Sequence, residues 1–548
     1  MGTDTPENVI EPRRRKLLVL ALDAAEPALI REWAGDGTLP NIAALMAQGL
    51  VGATQGDDAL YVGSTWPSFY TAVNPGRHGI YWIDRLVPGD YRVRRTSPAD
   101  FARTPALWDV LGAAGRRVMV CDVPLSHNAT GLHGVMLSEW GAHDALFGFS
   151  TEPPELAREI LSTFGAHPVP AACDSSSRTL AEYREFAALL IRGAHDRAEL
   201  TKSLLAREPW DFAIQVFSEA HCAGHQLWHF HDPKHPAFDH ATTTSVGNLV
   251  CDVYVAIDTA IGEILRSVDD DTTVVLLSLH GMSYMAGNGP LLGAILERLG
   301  VFARDGSEAK DVIFRDTPST LRHVLRSLGR RAKRAYHKLP LSVRAPLYEA
   351  RQRVNREVLD RGSPMNVEPD RSHCYPCEMG PCVSGIRINL EGREFHGIVH
   401  PGADEQAFVD GLIRDLMDIV DPGTQRKLVR RVFRTSDVFH GARLDELPDL
   451  IIEWDLEQPV GTAVAGVNQE TTRRASSPRI GVVELENRYC RTGEHRSGGV
   501  FIARGPGIQA AVLSREVRTL DLAPTFAAMI GCHMPNVDGR IIPELVQG

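Results

Sequence analysis

The sequence lacks the features that mark secreted, membrane-spanning and nucleic-acid-binding proteins. Nine cysteines in 548 residues are too few, and odd in number, for a disulfide framework, which favours a reducing compartment. The 58 Lys and Arg are outnumbered by 69 Asp and Glu, and a net charge of −11 argues against a general nucleic-acid binder. No apolar run approaches the ~18 residues of a membrane span. We therefore expect a protein of the cytoplasm.

The basic N-terminus resembles a signal peptide, but we do not expect it to act as one. Residues 13–16 are all basic and precede an apolar run, but Asp23 interrupts that run after about six residues and no small-residue cleavage pattern follows. We interpret residues 17–22 as the first buried strand instead.

Short apolar runs alternate with helical patterns along the chain. They predict strands at residues 17–22, 117–121, 211–217, 273–278, 449–453 and 499–503. Continuous apolar strands separated by helices are typical of a mostly parallel sheet sandwiched between helices, so the expected fold class is α/β.

Polar side chains follow three of the predicted strands. Asp23 follows the first, Glu219 and His221 follow the third, and His280 follows the fourth. Sites in such sheets form at the carboxyl ends of strands, so these side chains are expected to converge. His225 lies four residues after His221, on the same face if the segment is helical.

Thr65, in Gly63-Ser64-Thr65-Trp66-Pro67, supplies a candidate nucleophile. A hydroxyl, a carboxylate and scattered histidines are what a metal-assisted displacement at phosphorus requires, because the metal lowers the hydroxyl pKa and neutralises the nonbridging oxygens. Ser64 is the rival nucleophile, but the register against Pro67 favours Thr65.

The segment from Thr65 to Ile80 resembles the nucleophile segment of the alkaline phosphatase superfamily. In the type I phosphodiesterase/nucleotide pyrophosphatase branch this motif runs Thr-x-Pro, then Thr-Gly, then Pro-x-x-His-Gly-Ile, and Pro75 to Ile80 match its last part. Further similar stretches are residues 39–49, 385–394, 447–450 and 521–539. The resemblance implies an alkaline-phosphatase-like fold and a metal-dependent phosphoric ester hydrolase.

The resemblance also implies a role for individual residues. Thr65 matches a covalent nucleophile that would form a phospho-threonine intermediate. Asp23 and His280, with the Thr65 oxygen, match the ligands of one metal ion, and His225 and His495 match ligands of another. The implied cofactor is a divalent metal, zinc being favoured, as one or two ions.

Two positions depart from the family pattern. His221 stands where the family has Asp, and a set of His221, His225 and His495 with an open fourth position suits catalytic zinc. Leu279 stands where a second Asp is expected, and leucine cannot ligate a metal.

The loss of the carboxylate at Leu279 leaves three explanations open. In the first, an acid such as Glu219 or Glu494 replaces the missing ligand. In the second, the enzyme works with one tightly bound ion. In the third, the chain is a weakly active or non-catalytic relative of these enzymes that binds an anionic ligand or a partner. A sulfatase is a further alternative, disfavoured because Thr65 replaces the required Cys or Ser and Phe69 the required Arg. The expected substrate is a small phosphate ester, not a nucleic-acid duplex.

A composition shift divides the chain into two predicted parts. Residues 1–304 and 373–548 form the catalytic domain, and residues 305–372 form a basic helical insertion. Within residues 318–361, twelve Lys or Arg stand against three acids. Such a surface is either a solvated face or a contact for an anionic substrate, a membrane surface or a partner.

Two smaller features carry alternative interpretations. Trp140 and His143 either line a substrate pocket or belong to the core. His373-Cys374-x-x-Cys377, with Cys382 nearby, is either a set of ordinary cysteines or a small metal or redox site.

Overall fold

The computed structural model describes residues 15–305 and 363–546, apart from residues 58, 130, 144, 170–177, 465–466, 468 and 488. The basic segment 318–361 of the predicted insertion lies outside the described residues. None of the helices in the described ranges is long and apolar enough to cross a membrane.

Helices and strands follow one another along the described ranges. The α-helices are α1 Pro27–Gly35, α2 Pro40–Gln48, α3 Thr65–Thr71, α4 Pro75–His78, α5 Pro98–Phe101, α6 Leu107–Ala113, α7 Leu156–Thr163, α8 Leu180–Leu205, α9 Glu219–Leu227, α10 His240–Val246, α11 Leu249–Leu265, α12 Leu292–Leu299, α13 Ala403–Met417, α14 Thr435–Val438, α15 Thr519–Met529 and α16 Pro543–Val546. Short 3₁₀ helices are Trp228–Phe230, Gly289–Leu291, Pro369–Arg371 and Leu444–Glu446. The strands are β1 Lys16–Leu22, β2 Leu50–Gln55, β3 Asp84–Leu86, β4 Arg92–Arg95, β5 Val118–Cys121, β6 Gly134–Ser138, β7 Ser150–Glu152, β8 Phe212–Phe217, β9 Thr272–Ser278, β10 Gly281–Tyr284, β11 Ser363–Pro364, β12 Cys374–Glu378, β13 Val383–Ile388, β14 Val429–Arg434, β15 Leu450–Trp454, β16 Thr472–Ser477, β17 Gly481–Glu486, β18 Gly493–Arg496, β19 Gly499–Arg504, β20 Ala511–Val512 and β21 Val517–Arg518.

The central sheet has the strand order β20-β2-β19-β9-β1-β8-β5-β6-β7, with β21 also paired to β2. Strands β9, β1, β8, β5 and β6 run parallel. Strand β19 runs antiparallel to both β9 and β2, and β7 runs antiparallel to β6. The α/β fold class is confirmed, with a mixed central sheet.

The strand predicted at residues 449–453 does not lie in this sheet. It forms β15 of a separate antiparallel sheet with the order β12-β13-β15-β14. An apolar run predicts a buried strand but carries no information about which strand it pairs with, so placing it in the central sheet was wrong.

Strand β1 shows how the sequence builds a two-sided core. Leu18, Leu20 and Leu22 point to the face covered by α8, α9 and α11. The alternate residues, such as Val19, point to the opposite face, which α3, α6 and α15 cover. Each fully buried Leu or Val contributes about 1.5–3 kcal/mol of burial free energy, so the strand is held from both sides.

The second sheet packs against α12 and α13 through its own apolar cluster. Its β12–β13 end borders the cavity described below, because Cys377, Met379 and Cys382 belong both to this cluster and to the cavity wall. The second sheet therefore builds one side of the candidate site.

Candidate active site and metal centre

Three neighbouring parallel strands bring their polar end residues together. Strand β1 pairs with β8 on one side and with β9 on the other. Asp23, His221 and His280 follow these strands, and all three side chains are buried. His221 Nδ1 lies 2.7 Å from Asp23 Oδ2, and His280 Nε2 lies 3.9 Å from Asp23 Oδ1. The convergence expected from the strand ends is present in the structure.

Helix α9 turns two histidines toward each other. His221 and His225 lie one helical turn apart, and their Nε2 atoms are separated by 2.9 Å. The other ring nitrogen of His225, Nδ1, lies 2.8 Å from the Gly493 carbonyl oxygen. Both side chains are therefore held from behind, with their Nε2 atoms facing the same point.

Strand β18 adds His495 to this pair. It runs antiparallel to β10, so that His495 lies opposite Met282, two residues after His280. The His495 ring centroid lies 4.8 Å from those of His221 and His225 and 4.9 Å from that of His280. The approach of β18 to α9 requires glycine at position 493, because a Cβ there would lie 2.2 Å from the Gly224 carbonyl oxygen.

Two acids were expected as possible substitutes for the missing carboxylate, and the structure separates them. Glu494 lies with His225 and His495 in a group whose ligand atoms are within 4.8 Å of one another. Glu219 lies elsewhere, bound by Arg197 Nε at 3.1 Å and His167 Nε2 at 3.0 Å. Glu494 is thus placed to ligate, at the His225 end of the site.

His143 joins the same cluster from the loop after β6. Its ring centroid lies 4.1 Å from that of His221 and 5.3 Å from that of His225, and the three form a second group of potential ligands. From the sequence, His143 was expected either at a substrate pocket or in the core, and not as a member of the histidine cluster. The sequence signal for this role is the position of His143 after a central strand, a position that Asp23, His221 and His280 share.

Trp140 is not part of the cavity wall, which favours the core alternative for this residue over a role in substrate binding. Its indole Nε1 donates to the Gly165 carbonyl at 3.0 Å, and its ring packs edge-on against His167 in the core. The backbone beside it is fixed by Asp122, whose carboxylate accepts from the N–H groups of Trp140 at 2.8 Å and Gly141 at 2.9 Å. Trp140 is therefore part of the support beneath His143.

Arg197 of helix α8 joins the loop of His143 to the start of α9. Its fully buried guanidinium donates to Asp122 at 2.5 Å, to Glu219 at 3.1 Å and to the Gly141 carbonyl at 3.0 Å. A buried arginine with two carboxylate partners holds both segments in one geometry. This ion network positions the histidines without contacting them.

Thr65 lies beside the cluster but does not face it. It is the first residue of α3, its side chain is fully buried, and its hydroxyl donates to the Tyr61 carbonyl at 2.6 Å. The cavity wall at this point consists of Gly63 and Trp66. It is the Trp66 indole Nε1 that donates to Asp23 Oδ1, at 2.9 Å.

The protonation states of the cluster suit a metal centre. Burial would raise the pKa of Asp23, but the charge and hydrogen bond of His221, with smaller effects from His280 and Trp66, hold it well below its usual range. Burial lowers the pKa of His225 and His495 far below the ordinary value, and it lowers that of His280 to about 4. Ionised carboxylates and neutral imidazoles are the forms that bind metal ions.

The hydrogen bonds around His221 and His225 point to a cation between them. The Asp23 carboxylate and the Gly493 carbonyl can only accept, so each of these histidines carries its proton on Nδ1. When both imidazoles are neutral, their Nε2 lone pairs face each other across 2.9 Å, which repels unless a proton or a metal ion lies between them. Among the described residues, His280 Nδ1 and His495 Nδ1 are also buried without a hydrogen-bond partner. These residues fit a metal ion.

The histidine cluster forms one end of a cavity of about 650 Å³. Arg491 and Glu494 stand beside His495 in its wall. The rest of the wall carries apolar side chains, among them Trp82, Ile83, Val93, Phe302, Met365 and Met379, together with polar ones such as Asp84, Arg304 and Glu378. The cavity can therefore hold an anionic group at the histidines and a larger apolar group beyond it.

The three clustered cysteines do not form a metal site in the described part of the chain. Cys374 and Cys377 are buried on β12, and Cys382 Sγ lies 3.6 Å from the His495 carbonyl oxygen. Burial raises the pKa of Cys377 and Cys382 to about 12, so both stay thiols. They are ordinary packed cysteines.

The family model for type I phosphodiesterase / nucleotide pyrophosphatase matches residues 17–373, more than half of the chain. The chain belongs to this family. As a family member it is a phosphoric ester hydrolase of the phosphodiesterase class, within the alkaline phosphatase superfamily, and the expected resemblance is confirmed. Members of the family typically depend on divalent metal ions, which agrees with the ligand groups found here. No curated protein matches this phosphodiesterase-family sequence.

Solved structures resemble this phosphodiesterase-family chain over almost its whole length. Phosphonoacetate hydrolase from Sinorhizobium meliloti 1021, in complex with phosphonoformate, has a TM-score of 0.50 at 12% identity. The match covers 94% of this chain and 95% of that chain. Murine ectonucleotide pyrophosphatase / phosphodiesterase 5, in complex with AMP, has a TM-score of 0.48 at 9% identity, covering 96% of this chain and 97% of that chain. At such low identity the likeness to the hydrolase shows a shared fold.

Proposed function

We propose that this chain hydrolyses small phosphate diesters with a divalent metal ion bound by His221, His225 and His495, and with Glu494 or His143 as a further ligand. The observation that carries the proposal is the pair of Nε2 atoms facing each other at 2.9 Å, each ring held through its Nδ1. A ligating histidine is typically fixed by an acceptor on its other nitrogen, and both rings meet that condition.

Zinc is the ion that this donor set suits best. Several imidazoles and a single carboxylate are the ligands of catalytic zinc sites, whereas magnesium and calcium prefer oxygen ligands. When bound, the ion supplies positive charge that stabilises the phosphoryl oxygens during displacement. Arg491 in the same wall adds a cation on the substrate side.

The shape of the cavity favours a diester over inorganic phosphate or a small monoester. Its volume of about 650 Å³ lies in the range of sites for drug-sized ligands. Its wall carries imidazoles and the Arg491 guanidinium as well as the apolar side chains of Trp82, Met365 and Met379. A phosphodiester with one apolar or aromatic arm places its charge and its apolar surface accordingly.

Thr65 remains the proposed nucleophile: its oxygen attacks phosphorus, one ester bond breaks and its alcohol leaves, and water then hydrolyses the phospho-threonine to give the phosphate monoester and free Thr65. Its position at the start of α3, next to Trp66, keeps it within one residue of the contact with Asp23. To act, the hydroxyl must leave the Tyr61 carbonyl, and a single hydrogen bond of this kind stabilises by only about 0.5–1.5 kcal/mol. A rotation about the Cα–Cβ bond therefore costs little compared with the barrier of the chemical step.

Direct attack by water is a second candidate mechanism, and the same hydrogen bond favours it. With the Thr65 hydroxyl donating to Tyr61 and absent from the cavity wall, no covalent intermediate is needed if water attacks at the histidine cluster. The two mechanisms differ in whether removal of the Thr65 hydroxyl abolishes turnover.

Metal analysis combined with paired substrates tests the proposed function. Purified protein should contain zinc or regain activity with it, and it should hydrolyse bis-p-nitrophenyl phosphate faster than p-nitrophenyl phosphate. His225→Ala should abolish both zinc binding and turnover. The matched control is His229→Ala, because His229 is equally buried but packs against Tyr183 outside the cluster. No bound metal and no turnover of either ester would instead indicate a binding-only relative.

We also propose that the protein works in the cytoplasm. None of the described cysteines forms a disulfide, including the buried Cys121, Cys374 and Cys377. That pattern agrees with a compartment in which thiols stay reduced. Fractionation of cells expressing the tagged protein tests it, and recovery in the secreted fraction would contradict it.

A further inference from the structure

We infer that this chain holds a single metal ion, at the His221–His225 centre, and that Trp66 and Leu279 close the position where the family resemblance places a second ion. The inference rests on the proposed metal dependence and narrows it. It makes Asp23 a positioning residue for His221 instead of a metal ligand. The donors expected at the second position are Asp23, Thr65, residue 279 and His280.

Asp23 already has donors for both of its carboxylate oxygens. Trp66 Nε1 donates to Oδ1 at 2.9 Å, and His221 Nδ1 donates to Oδ2 at 2.7 Å. The indole N–H is a donor only, so its positive hydrogen points at the oxygen that a second ion would need. This hydrogen bond occupies one lone pair of Oδ1 and draws charge from it, so that Oδ1 is a weaker ligand for a second ion than an unshared carboxylate oxygen.

Residue 279 offers no ligand at all. The Leu279 side chain is fully buried and belongs to the apolar cluster on one face of the central sheet, together with Trp66 and Phe69. Trp66 also packs edge-on against Phe69, with 5.9 Å between ring centroids. Where the family has a carboxylate, this chain has Leu279 in apolar packing, and in the cavity wall beside Asp23 it has the Trp66 indole with its N–H aimed at Oδ1.

The two remaining donors do not restore the second position. The Thr65 hydroxyl donates to the Tyr61 carbonyl at 2.6 Å. His280 offers the one remaining imidazole: its Nδ1 is buried without a hydrogen-bond partner and its Nε2 makes no hydrogen bond to a described residue, but one imidazole does not hold an ion tightly. Its Nε2 stays 3.9 Å from Asp23 Oδ1. His280 therefore forms part of the cavity wall without holding a second ion.

The role of Asp23 follows from the same contacts. By accepting from His221 Nδ1 it fixes the tautomer and orientation that present Nε2 to His225. A carboxylate behind a ligating histidine typically raises metal affinity about 10–100-fold. Asp23 thus acts through His221, as the carbonyl of Gly493 acts through His225.

The test is metal stoichiometry, measured by inductively coupled plasma mass spectrometry after saturation with zinc and removal of excess ion. The wild-type protein should hold one zinc per chain. Two zinc ions per chain in the wild type would overturn the inference while leaving the proposed function standing. No zinc would overturn the proposed metal dependence and the inference with it.

A gain-of-site variant adds a second measurement. Leu279→Asp combined with Trp66→Phe restores the expected carboxylate and removes the indole N–H, and it should raise the stoichiometry toward two. Leu279→Asn with Trp66→Phe is the control, because it has the same shape without the charge. If the Asp variant folds, as circular dichroism reports, and still holds one ion, closure by these two residues is refuted. If it does not fold, the wild-type stoichiometry decides alone.

Asp23→Asn separates the positioning role from a ligand role. The variant should still bind one zinc at saturation, but competition with a chelator should show about 10–100-fold weaker affinity. Loss of an entire equivalent of zinc from Asp23→Asn, with the rest bound at unchanged affinity, would show that Asp23 ligates an ion of its own.

Discussion

Replacing Thr65 by valine tests the proposed nucleophile with little change of shape. The substitution removes the bond from the hydroxyl to the Tyr61 carbonyl, 2.6 Å long, in a fully buried position. The loss should destabilise the fold by about 1 kcal/mol, and by up to about 3 kcal/mol if the Tyr61 carbonyl is left without a partner. A protein with a typical stability of about 5–15 kcal/mol survives this change.

The catalytic effect should be much larger than the effect on stability. If Thr65 forms the covalent intermediate, Thr65→Val should lower kcat by about 10⁴-fold or more, since loss of a covalent nucleophile removes the reaction path itself. Thr65→Ser, which keeps the hydroxyl, is the matched control and should retain measurable turnover. Zinc content should be unchanged in both variants, because Thr65 donates to Tyr61 and not to the histidine cluster.

The assay is hydrolysis of bis-p-nitrophenyl phosphate, with intact-mass spectrometry of rapidly quenched protein alongside. The wild type should show an added phosphoryl-containing group that Thr65→Val lacks. If Thr65→Val hydrolyses the diester within about 10-fold of the wild-type rate, the covalent route is refuted and direct attack by water takes its place.

Three further substitutions test other parts of the molecule. His143→Ala should weaken zinc binding by about 10–100-fold in a chelator competition, and unchanged affinity would exclude His143 from the centre. Arg197→Met should destabilise the protein by about 3–5 kcal/mol in urea unfolding, because Asp122 and Glu219 lose their buried cation; a cost below about 1 kcal/mol would contradict the positioning role of the network. Burial lowers the pKa of His78 to about 3 from the ordinary 6.5, so the unfolded state takes up the proton first and stability falls as the pH drops below 6.5. His78→Gln should remove about 2 kcal/mol of that loss between pH 6.5 and pH 5, and parallel stability curves for variant and wild type would refute the assignment.

Local patterns in the sequence predicted the elements that carry the site. The apolar run before Asp23 and the run ending before Ser218 are strands β1 and β8, and they pair in parallel. The spacing of His221 and His225 predicted a shared helical face, and α9 has it. These features depend on residues close together in the chain, where side-chain alternation and helical periodicity decide the structure.

Long-range pairing could not be predicted from the same patterns. The run at residues 449–453 pairs with β13 and β14 in a different sheet, because hydrophobicity does not encode a partner. Glu219 and Glu494 were both candidates for the substitute acid, and the sequence could not choose between them, because only the approach of β18 to α9 places Glu494 with His225 and His495. The donor to Asp23 is Trp66 and not Thr65, a choice set by the rotation of α3 against the sheet.

The histidine cluster draws its members from segments far apart in the chain. Helix α9 supplies His221 and His225, while β18 supplies His495 and is attached to α9 only through contacts such as the one from His225 to Gly493. An ion bound to both segments would act as a reversible cross-link between them, and it would stabilise the folded chain by an amount that rises with the free concentration of that ion. Removal of the ion by a chelator should therefore weaken the attachment of β18 before that of other elements. A protease that cuts near β18 should then degrade the chain faster when the metal is scarce.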